Sequence, residues 1–149
     1  MKKFLNTLSM ISVLFAMGVT ILILFWEFYP YQPLVLNKPT FPMITKTVYP
    51  GNLLTYQVDY CKYMNLSAMI TRHVINGYDY TMPTVLGDKT TGCGVSNISF
   101  TLPKETPSGV KYKLEIIYKY QVNPLREIVV KEVTDPFTVL VATNSATVQ

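Results

Sequence analysis

The chain has 149 residues, 49% of them hydrophobic, and a formal net charge of +4 at pH 7. This length suits one domain with an anchor, and the mixed charges beyond the N-terminus, with no basic run, argue against nucleic-acid binding. One histidine and two cysteines are too few soft ligands for a zinc-type metal site.

An uncharged apolar segment opens the chain. Lys2 and Lys3 precede a run from Phe4 to Trp26 that contains no charged residue. As a helix this run would be about 35 Å long, enough to cross a hydrocarbon core of about 30 Å. We therefore predict a signal-anchor transmembrane helix over residues 1–29. The alternative is a cleaved signal peptide with a site at Ala16-Met17-Gly18, although cleavage there would leave a strongly apolar new N-terminus.

Aromatic residues cluster where this helix would leave the membrane. Trp26, Tyr29 and Tyr31 fit an interfacial aromatic belt, and Lys2 and Lys3 would anchor the opposite end. Because the two lysines lie on the short N-terminal side, the positive-inside rule predicts a cytoplasmic N-terminus. The rest of the chain would then be extracytoplasmic, in the periplasm or outside the cell.

Prolines are dense immediately after the helix, and such density favours an extended, semi-rigid chain. We predict that residues 30–42 form a spacer that holds the following domain off the membrane. Leu34-Val35-Leu36 is the one part of it that could form a short edge strand. The prolines are Pro30, Pro33, Pro39 and Pro42.

Residues 43–141 have the pattern of short strands separated by turns. Tyr49-Pro50-Gly51-Asn52 is a turn signal and Asn76-Gly77 is a hairpin signature. In the clearest strand, from Val110 to Val122, apolar and polar residues alternate. About seven strands without helical periodicity predict an all-β antiparallel sandwich, followed by a flexible tail over residues 142–149. The other predicted strands are Met43–Val48, Leu54–Tyr60, Ala68–Ile75, Tyr78–Val85, Val95–Leu102, Glu127–Val133 and Phe137–Val141.

Three short motifs lie within residues 41–141. They are Tyr49-Pro50-Gly51 followed by Leu53-Leu54-Thr55-Tyr56, then Ser108-Gly109-Val110-Lys111-Tyr112, then Pro136-Phe137-Thr138-Val139. With these motifs the segment resembles the immunoglobulin-like and fibronectin type III-like modules of bacterial and phage surface proteins. The resemblance implies a fold and no particular activity. Antibody-type domains carry a cysteine two residues after the tyrosine of the penultimate strand. Leu114 stands there instead, so the inter-sheet disulfide of that family is absent.

The two cysteines are Cys61, at the end of a predicted strand, and Cys93, within Gly92-Cys93-Gly94. In an extracytoplasmic compartment two cysteines favour a disulfide, whereas in the cytoplasm free thiols would be expected. We expect a Cys61–Cys93 disulfide that ties the middle hairpin to the body of the domain.

Residues with catalytic potential are scarce. His73 is the only histidine, and no motif around it supplies a nucleophile or an orienting partner. We interpret it as a surface residue and predict a protein that is not an enzyme and has no cofactor or metal. Tyr63, Tyr78 and Tyr80 lie near loop ends and could form an aromatic recognition surface. Other tyrosines share the apolar faces of their predicted strands and are expected to pack in the core: Tyr56, Tyr60, Tyr112, Tyr118 and Tyr120.

Together these features predict a single-pass membrane protein that displays an extracytoplasmic β-sandwich for protein binding or for assembly of a membrane complex. Its expected partners are the lipid bilayer and either a protein or further copies of the same chain. The alternatives are a structural subunit of a filament, phage or virion membrane, or a secreted β-sandwich if the N-terminal segment is cleaved.

Overall fold

The computed structural model describes residues 2–75, 80–87 and 90–141, apart from the side chains of residues 2–6 and 8. The hairpin signature Asn76-Gly77, Tyr78 and the predicted tail over residues 142–149 lie outside the described residues. The side chains of Lys2 and Lys3 also lie outside this part of the protein.

One helix, α1, runs from Lys2 to Phe28 and confirms the predicted apolar N-terminal helix. Its segment Ser9–Phe28 is long and apolar enough to cross a membrane, and no residue of its apolar window is fully buried. A hydroxyl within this segment is satisfied internally, because Thr20 Oγ1 donates to the carbonyl oxygen of Ala16 at 2.9 Å.

The described residues after the helix form short and long strands that pair almost entirely antiparallel. The protein is therefore mostly β, as the alternating pattern predicts. The strands are β1 (Leu34–Leu36), β2 (Thr47–Val48), β3 (Leu53–Lys62), β4 (Ala68–Ile75), β5 (Tyr80–Thr81), β6 (Val85–Gly87), β7 (Gly92–Thr101), β8 (Lys111–Asn123), β9 (Arg126–Val133) and β10 (Phe137–Val139).

A three-stranded sheet has the order β1-β3-β7. Its strands β3 and β7 pair over ten consecutive positions, from Leu53 opposite Thr101 to Lys62 opposite Gly92. A tight turn precedes β3, where Gly51 has a φ of 83°, a left-handed conformation that glycine adopts without steric cost.

The larger sheet is built around β8, the longest strand. It pairs with β4 on one side and with β9 and β10 on the other. Two short strands, β5 and β6, extend the sheet beyond β4, and β2 pairs with β10 in the one parallel arrangement among the described strands.

Residues of both sheets contribute to one hydrophobic cluster. The apolar positions of β8 from Tyr112 to Tyr120 are buried, as their alternation predicts, although Val110 just before the strand is 41% exposed. A core shared in this way buries one face of each sheet. Its fully buried large side chains include Tyr56, Phe41, Leu54, Leu114, Ile116, Tyr112 and Phe137.

Two predicted regions differ from the structure in detail. The strand predicted over Tyr78–Val85 is divided into β5 and β6, because Pro83 lies between them and lacks the N–H that a continuous ladder needs. Residues 30–42, predicted as a spacer, include β1 and the fully buried Phe41, whose backbone N–H donates to Val133 at 3.1 Å. How the chain divides into units stays a prediction.

Candidate functional site

The strand β7 forms one edge of the three-stranded sheet. Two hydrogen bonds show which backbone groups face outward: Asn37 N–H donates to the Asp59 carbonyl, and Gln57 N–H donates to the Pro42 carbonyl, both at 3.0 Å. The backbone N–H and C=O groups of the odd-numbered residues of β3 therefore point away from β7. In an antiparallel pair, the residues of β7 directly opposite them must also point their backbone groups away from β3. The residues of β7 that direct their N–H and C=O groups outward are Cys93, Val95, Asn97, Ser99 and Thr101.

This outer edge lacks the features by which proteins usually protect an edge strand. Across its ten residues β7 has no charged side chain, no proline and no bulge in its pairing with β3. Among the described residues, β3 is the only strand that pairs with it. The other long edge strand, β9, carries four charged residues in eight positions: Arg126, Glu127, Lys131 and Glu132.

Side chains on the exposed face hold β7 in register with β3. The hydroxyl oxygens of Thr55 and Ser99 are 2.8 Å apart, and Gln57 Nε2 donates to Asn97 Oδ1 at 3.4 Å. Each of these pairs joins directly opposed residues, which is the geometry that stabilises a sheet. The outer edge of β7 is consequently a fixed row of donors and acceptors.

A disulfide joins Cys61 and Cys93 and confirms the predicted bond. The two residues are directly opposed on β3 and β7, with Cα atoms 3.9 Å apart. The bond therefore links neighbouring strands of one sheet, and the expectation that it ties the middle hairpin to the body of the domain is wrong. A sequence pattern of two cysteines cannot show which strands are neighbours.

A buried arginine lies between the two sheets, close to the far end of β7. Arg72 is 8% exposed, and its Nε donates to the hydroxyl of Tyr56 at 3.2 Å. Its guanidinium carbon lies 5.7 Å from the ring centroid of Phe100, a cation–π distance. Burial raises the pKa of Tyr56, and the charge of Arg72 opposes part of that rise. A shallow cleft beside Arg72 includes Tyr80 and Glu105.

An apolar cavity of about 40 Å³ lies between the sheets, where Leu34 and Val58 face Ile70 and Tyr118. Such a volume holds at most a few water molecules, whereas pockets for small organic ligands measure several hundred Å³. The hydroxyl of Tyr118 is buried and has no hydrogen-bond partner among the residues that the structure describes.

The turn Asn123–Arg126 between β8 and β9, here called the helix-end turn, contacts the C-terminal end of α1. Asn123 Nδ2 donates to the Trp26 carbonyl at 2.8 Å. Arg126 Nη1 donates to the carbonyls of Glu27 at 2.7 Å and Tyr29 at 2.8 Å. The bonds to Trp26 and Glu27 satisfy carbonyls that a helix end leaves without intrahelical partners, and Arg126 places a cation at the negative end of the helix dipole.

The aromatic residues predicted to mark the membrane interface lie at this same place. The Tyr29 ring packs between those of Phe25 and Tyr31, with centroid distances of 4.9 and 4.8 Å. Trp26 is half-buried. Tyr63 lines a shallow cleft with these rings, and its backbone N–H donates to the Pro33 carbonyl at 3.0 Å.

The structure does not bring the predicted recognition tyrosines together. Tyr63 is 61% exposed and follows β3 at the helix end of the domain. Tyr80 is half-buried, packs against the core, and pairs with Val74 near the opposite end of β4. The third, Tyr78, lies outside the described residues.

His73 lies on β4 with its Nδ1 atom 2.8 Å from the Thr81 hydroxyl oxygen. Among the described residues, no group of three or more histidine, cysteine, aspartate or glutamate side chains is arranged to hold a metal ion.

The outer edge of β7 offers alternating backbone donors and acceptors, which is the chemistry by which an extended strand adds to a sheet. The helix-end turn connects α1 to the larger sheet through three hydrogen bonds. Comparison with known proteins gives no match: neither a family model nor a curated protein nor a solved structure is similar to this chain.

Proposed function

We propose that the protein is a single-pass membrane protein that displays an immunoglobulin-like β-sandwich and recruits a partner protein by strand addition at β7. It performs no catalysis and needs no cofactor. The observation that carries this proposal is the outer edge of β7, a ten-residue uncharged edge in a domain whose other long edge is charged.

The strand order supports the immunoglobulin-like fold. In that fold one sheet contains strands A, B and E, and the other contains C, F and G. The orders β1-β3-β7 and β4-β8-β9 correspond to these two sets. The hydrophobic cluster to which both sheets contribute also supports this proposal, because a sandwich buries one face of each sheet in a shared core.

A second feature of the same fold is a tyrosine near the start of strand F whose hydroxyl bonds to backbone a few residues upstream. Tyr112 occupies this position, since it lies at the start of β8 and two residues before Leu114. Its hydroxyl donates to the Pro107 carbonyl at 2.9 Å, and its ring packs against Phe137. This tyrosine corner supports the proposal independently of strand order.

The apolar helix supports the membrane location. Lys2 and Lys3 precede it, so the N-terminus is proposed to be cytoplasmic and the β domain extracytoplasmic. Confinement to a bilayer raises the effective concentration of the β7 edge near a partner in the same membrane.

The proposal is tested by photo-crosslinking in membranes of cells that express the full chain. A benzophenone amino acid replaces Asn97 on β7 or, as the matched control, Val129 on β9. Both positions are exposed and direct their backbone groups outward. We expect a discrete adduct from position 97 and none from position 129. Equal labelling, or labelling from position 129 alone, would contradict strand addition at β7.

Proline variants separate the edge from the rest of the domain. Asn97→Pro removes one outward N–H without breaking a β3–β7 hydrogen bond, and Val129→Pro does the same on β9. The adduct, detected from a probe at Val95, should disappear with Asn97→Pro and persist with Val129→Pro. An adduct with a different protein would support partner binding. An adduct with another copy of the chain would support the alternative role as a structural subunit, which the proposal does not favour.

A further inference from the structure

We infer that the helix-end turn and the β3–β4 loop rest in the lipid interface, with Leu125 and Tyr63 inserted among the lipid headgroups. The β domain would then lie against the bilayer instead of being held off it. This inference rests on the proposed membrane anchoring of α1.

The first observation is the position of the helix-end turn. Its flanking residues Asn123 and Arg126 bond to the carbonyls of Trp26 and Glu27, in the last turn of the apolar helix. The Leu125 Cα lies at most about 7 Å from that of Asn123, and Leu125 is next in sequence to Arg126, whose Nη1 donates to the Glu27 carbonyl at 2.7 Å. The interfacial layer of a bilayer is about 5–8 Å thick on each side, so a residue beside the end of a spanning helix is within reach of it.

The second observation is exposure. Leu125 is 57% exposed and Tyr63 is 61% exposed, although both are large and partly or wholly apolar. Tyr63 shares its cleft with Phe25 and Tyr29, which places it at the same depth as the end of α1. Leucine and tyrosine at this depth gain by contact with lipid, because leucine buries apolar area and tyrosine suits the boundary between headgroups and acyl chains.

The third observation is the hydrogen bonding within the turn. Leu125 N–H donates to Asn123 Oδ1 at 2.9 Å, and Gln121 Nε2 donates to the Asn123 carbonyl at 2.6 Å. The turn is thus fixed internally, and the bonds from Asn123 and Arg126 fix it to the helix. With α1 anchored in lipid, these bonds would therefore set the position of the turn relative to the bilayer, and with it the position of the adjoining ends of β8 and β9.

The test uses the single native tryptophan, Trp26, and the full chain in phosphatidylcholine liposomes whose acyl chains are brominated near the ester end. Bromine quenches tryptophan fluorescence on contact. In a Trp26→Phe background, tryptophan is introduced by Leu125→Trp or by Leu53→Trp. Leu53 is a matched control: it is 58% exposed and lies at the other end of β3, about 30 Å from Lys62.

We expect Leu125→Trp to be quenched several-fold more than Leu53→Trp and at least half as strongly as Trp26 in the native sequence. If Trp26 is quenched and Leu125→Trp is not, or if both introduced residues are quenched equally, the inference is wrong while the anchor stands. If Trp26 itself is not quenched, the proposed membrane anchor fails and the inference fails with it.

A further variant tests whether the turn is positioned by its bonds to the helix. Asn123→Ala combined with Arg126→Ala removes the donors to the carbonyls of Trp26, Glu27 and Tyr29. In the Leu125→Trp background this change should reduce quenching at least two-fold. Unchanged quenching would show that the hydrogen bonds do not hold the turn in the interface and would overturn the positioning role given to Asn123 and Arg126.

Discussion

The substitution Tyr118→Phe should stabilise the protein at neutral pH. The Tyr118 side chain is 6% exposed, and its hydroxyl has no hydrogen-bond partner in the described part of the chain. A buried hydroxyl in that condition loses its bonds to water on folding and regains only weaker interactions with the neighbouring Tyr56 hydroxyl and the Arg72 charge. Phenylalanine has the same ring and removes only the hydroxyl.

The magnitude follows from the cost of a buried unsatisfied polar group, about 1–3 kcal/mol. Phenylalanine leaves a slightly larger cavity next to the one that Tyr118 already lines, which subtracts from the gain. We therefore expect a net increase of about 1 kcal/mol in the free energy of unfolding. For a domain of this size that corresponds to a rise of roughly 4–8 °C in Tm.

The same substitution should change the response to alkaline pH. Burial raises the pKa of Tyr118 above its ordinary value of 10.0. In the unfolded chain the tyrosine loses its proton near pH 10, whereas in the folded protein it keeps the proton to higher pH. The stabilising contribution is therefore complete below pH 10 and is lost as the pH rises above it, by about 1.4 kcal/mol per pH unit for one tyrosine. Tyr118→Phe removes this loss.

The assay is chemical unfolding of the full chain in detergent micelles, followed by circular dichroism between pH 7 and pH 11. The advantage of Tyr118→Phe should be present at pH 7 and should widen above pH 10. Tyr49→Phe, at a residue that is 41% exposed, is the control and should leave stability at pH 7 unchanged. A destabilised Tyr118→Phe variant, or a difference that stays constant above pH 10, would refute the reasoning.

Three further predictions concern the stability of the β domain, measured by denaturant midpoints. Cys93→Ser should lower the free energy of unfolding by up to about 3–4 kcal/mol, because the disulfide closes a loop with a sequence separation of 32. Reduction of the native protein should lower the midpoint equally, and an unchanged midpoint on reduction would contradict this. Gly87→Ala brings a Cβ into close contact with Ile70 Cδ1, but Ile70 can turn into the adjacent cavity, so the loss of unfolding free energy should stay below about 1–3 kcal/mol. The loss should be smaller in an Ile70→Val background, which removes Cδ1; an equal loss in both backgrounds would show that the clash is elsewhere. Tyr112→Phe should cost about 1 kcal/mol through loss of the bond to the Pro107 carbonyl, and a neutral result would argue against the tyrosine corner.

The order of apolar and polar residues predicts those helices and strands whose sequence has a single clear periodicity or an uninterrupted apolar run. The alternation from Tyr112 to Tyr120 in β8 was sufficient to identify a strand and its buried face, since the side-chain period of a strand is two. The uncharged apolar run predicted α1 for a similar reason. The division between β5 and β6 follows from Pro83, a residue visible in the sequence that has no N–H to donate to a ladder.

The residue pattern of the sequence does not indicate contacts between distant parts of the chain. The bonds from Asn123 and Arg126 to the end of α1 join residues nearly one hundred positions apart, and no periodicity indicates them. The separation of Tyr63 from Tyr80 depends on the direction of β4, which the sequence does not show. The β7 edge did carry a signal, since residues 92–101 contain no charge, but only the sheet order shows that this strand is an edge.

Hydrogen exchange at single backbone amides of β7 tests strand addition most directly. The amides of Val95, Asn97 and Ser99 point outward, whereas that of Ile98 bonds within the sheet and serves as the internal control. In the purified chain the outward amides should exchange rapidly and Ile98 slowly. In native membranes, with the partner bound, all of these amides should exchange slowly. If the outward amides exchange equally fast in both settings, no strand adds at β7 and the proposed binding function is wrong.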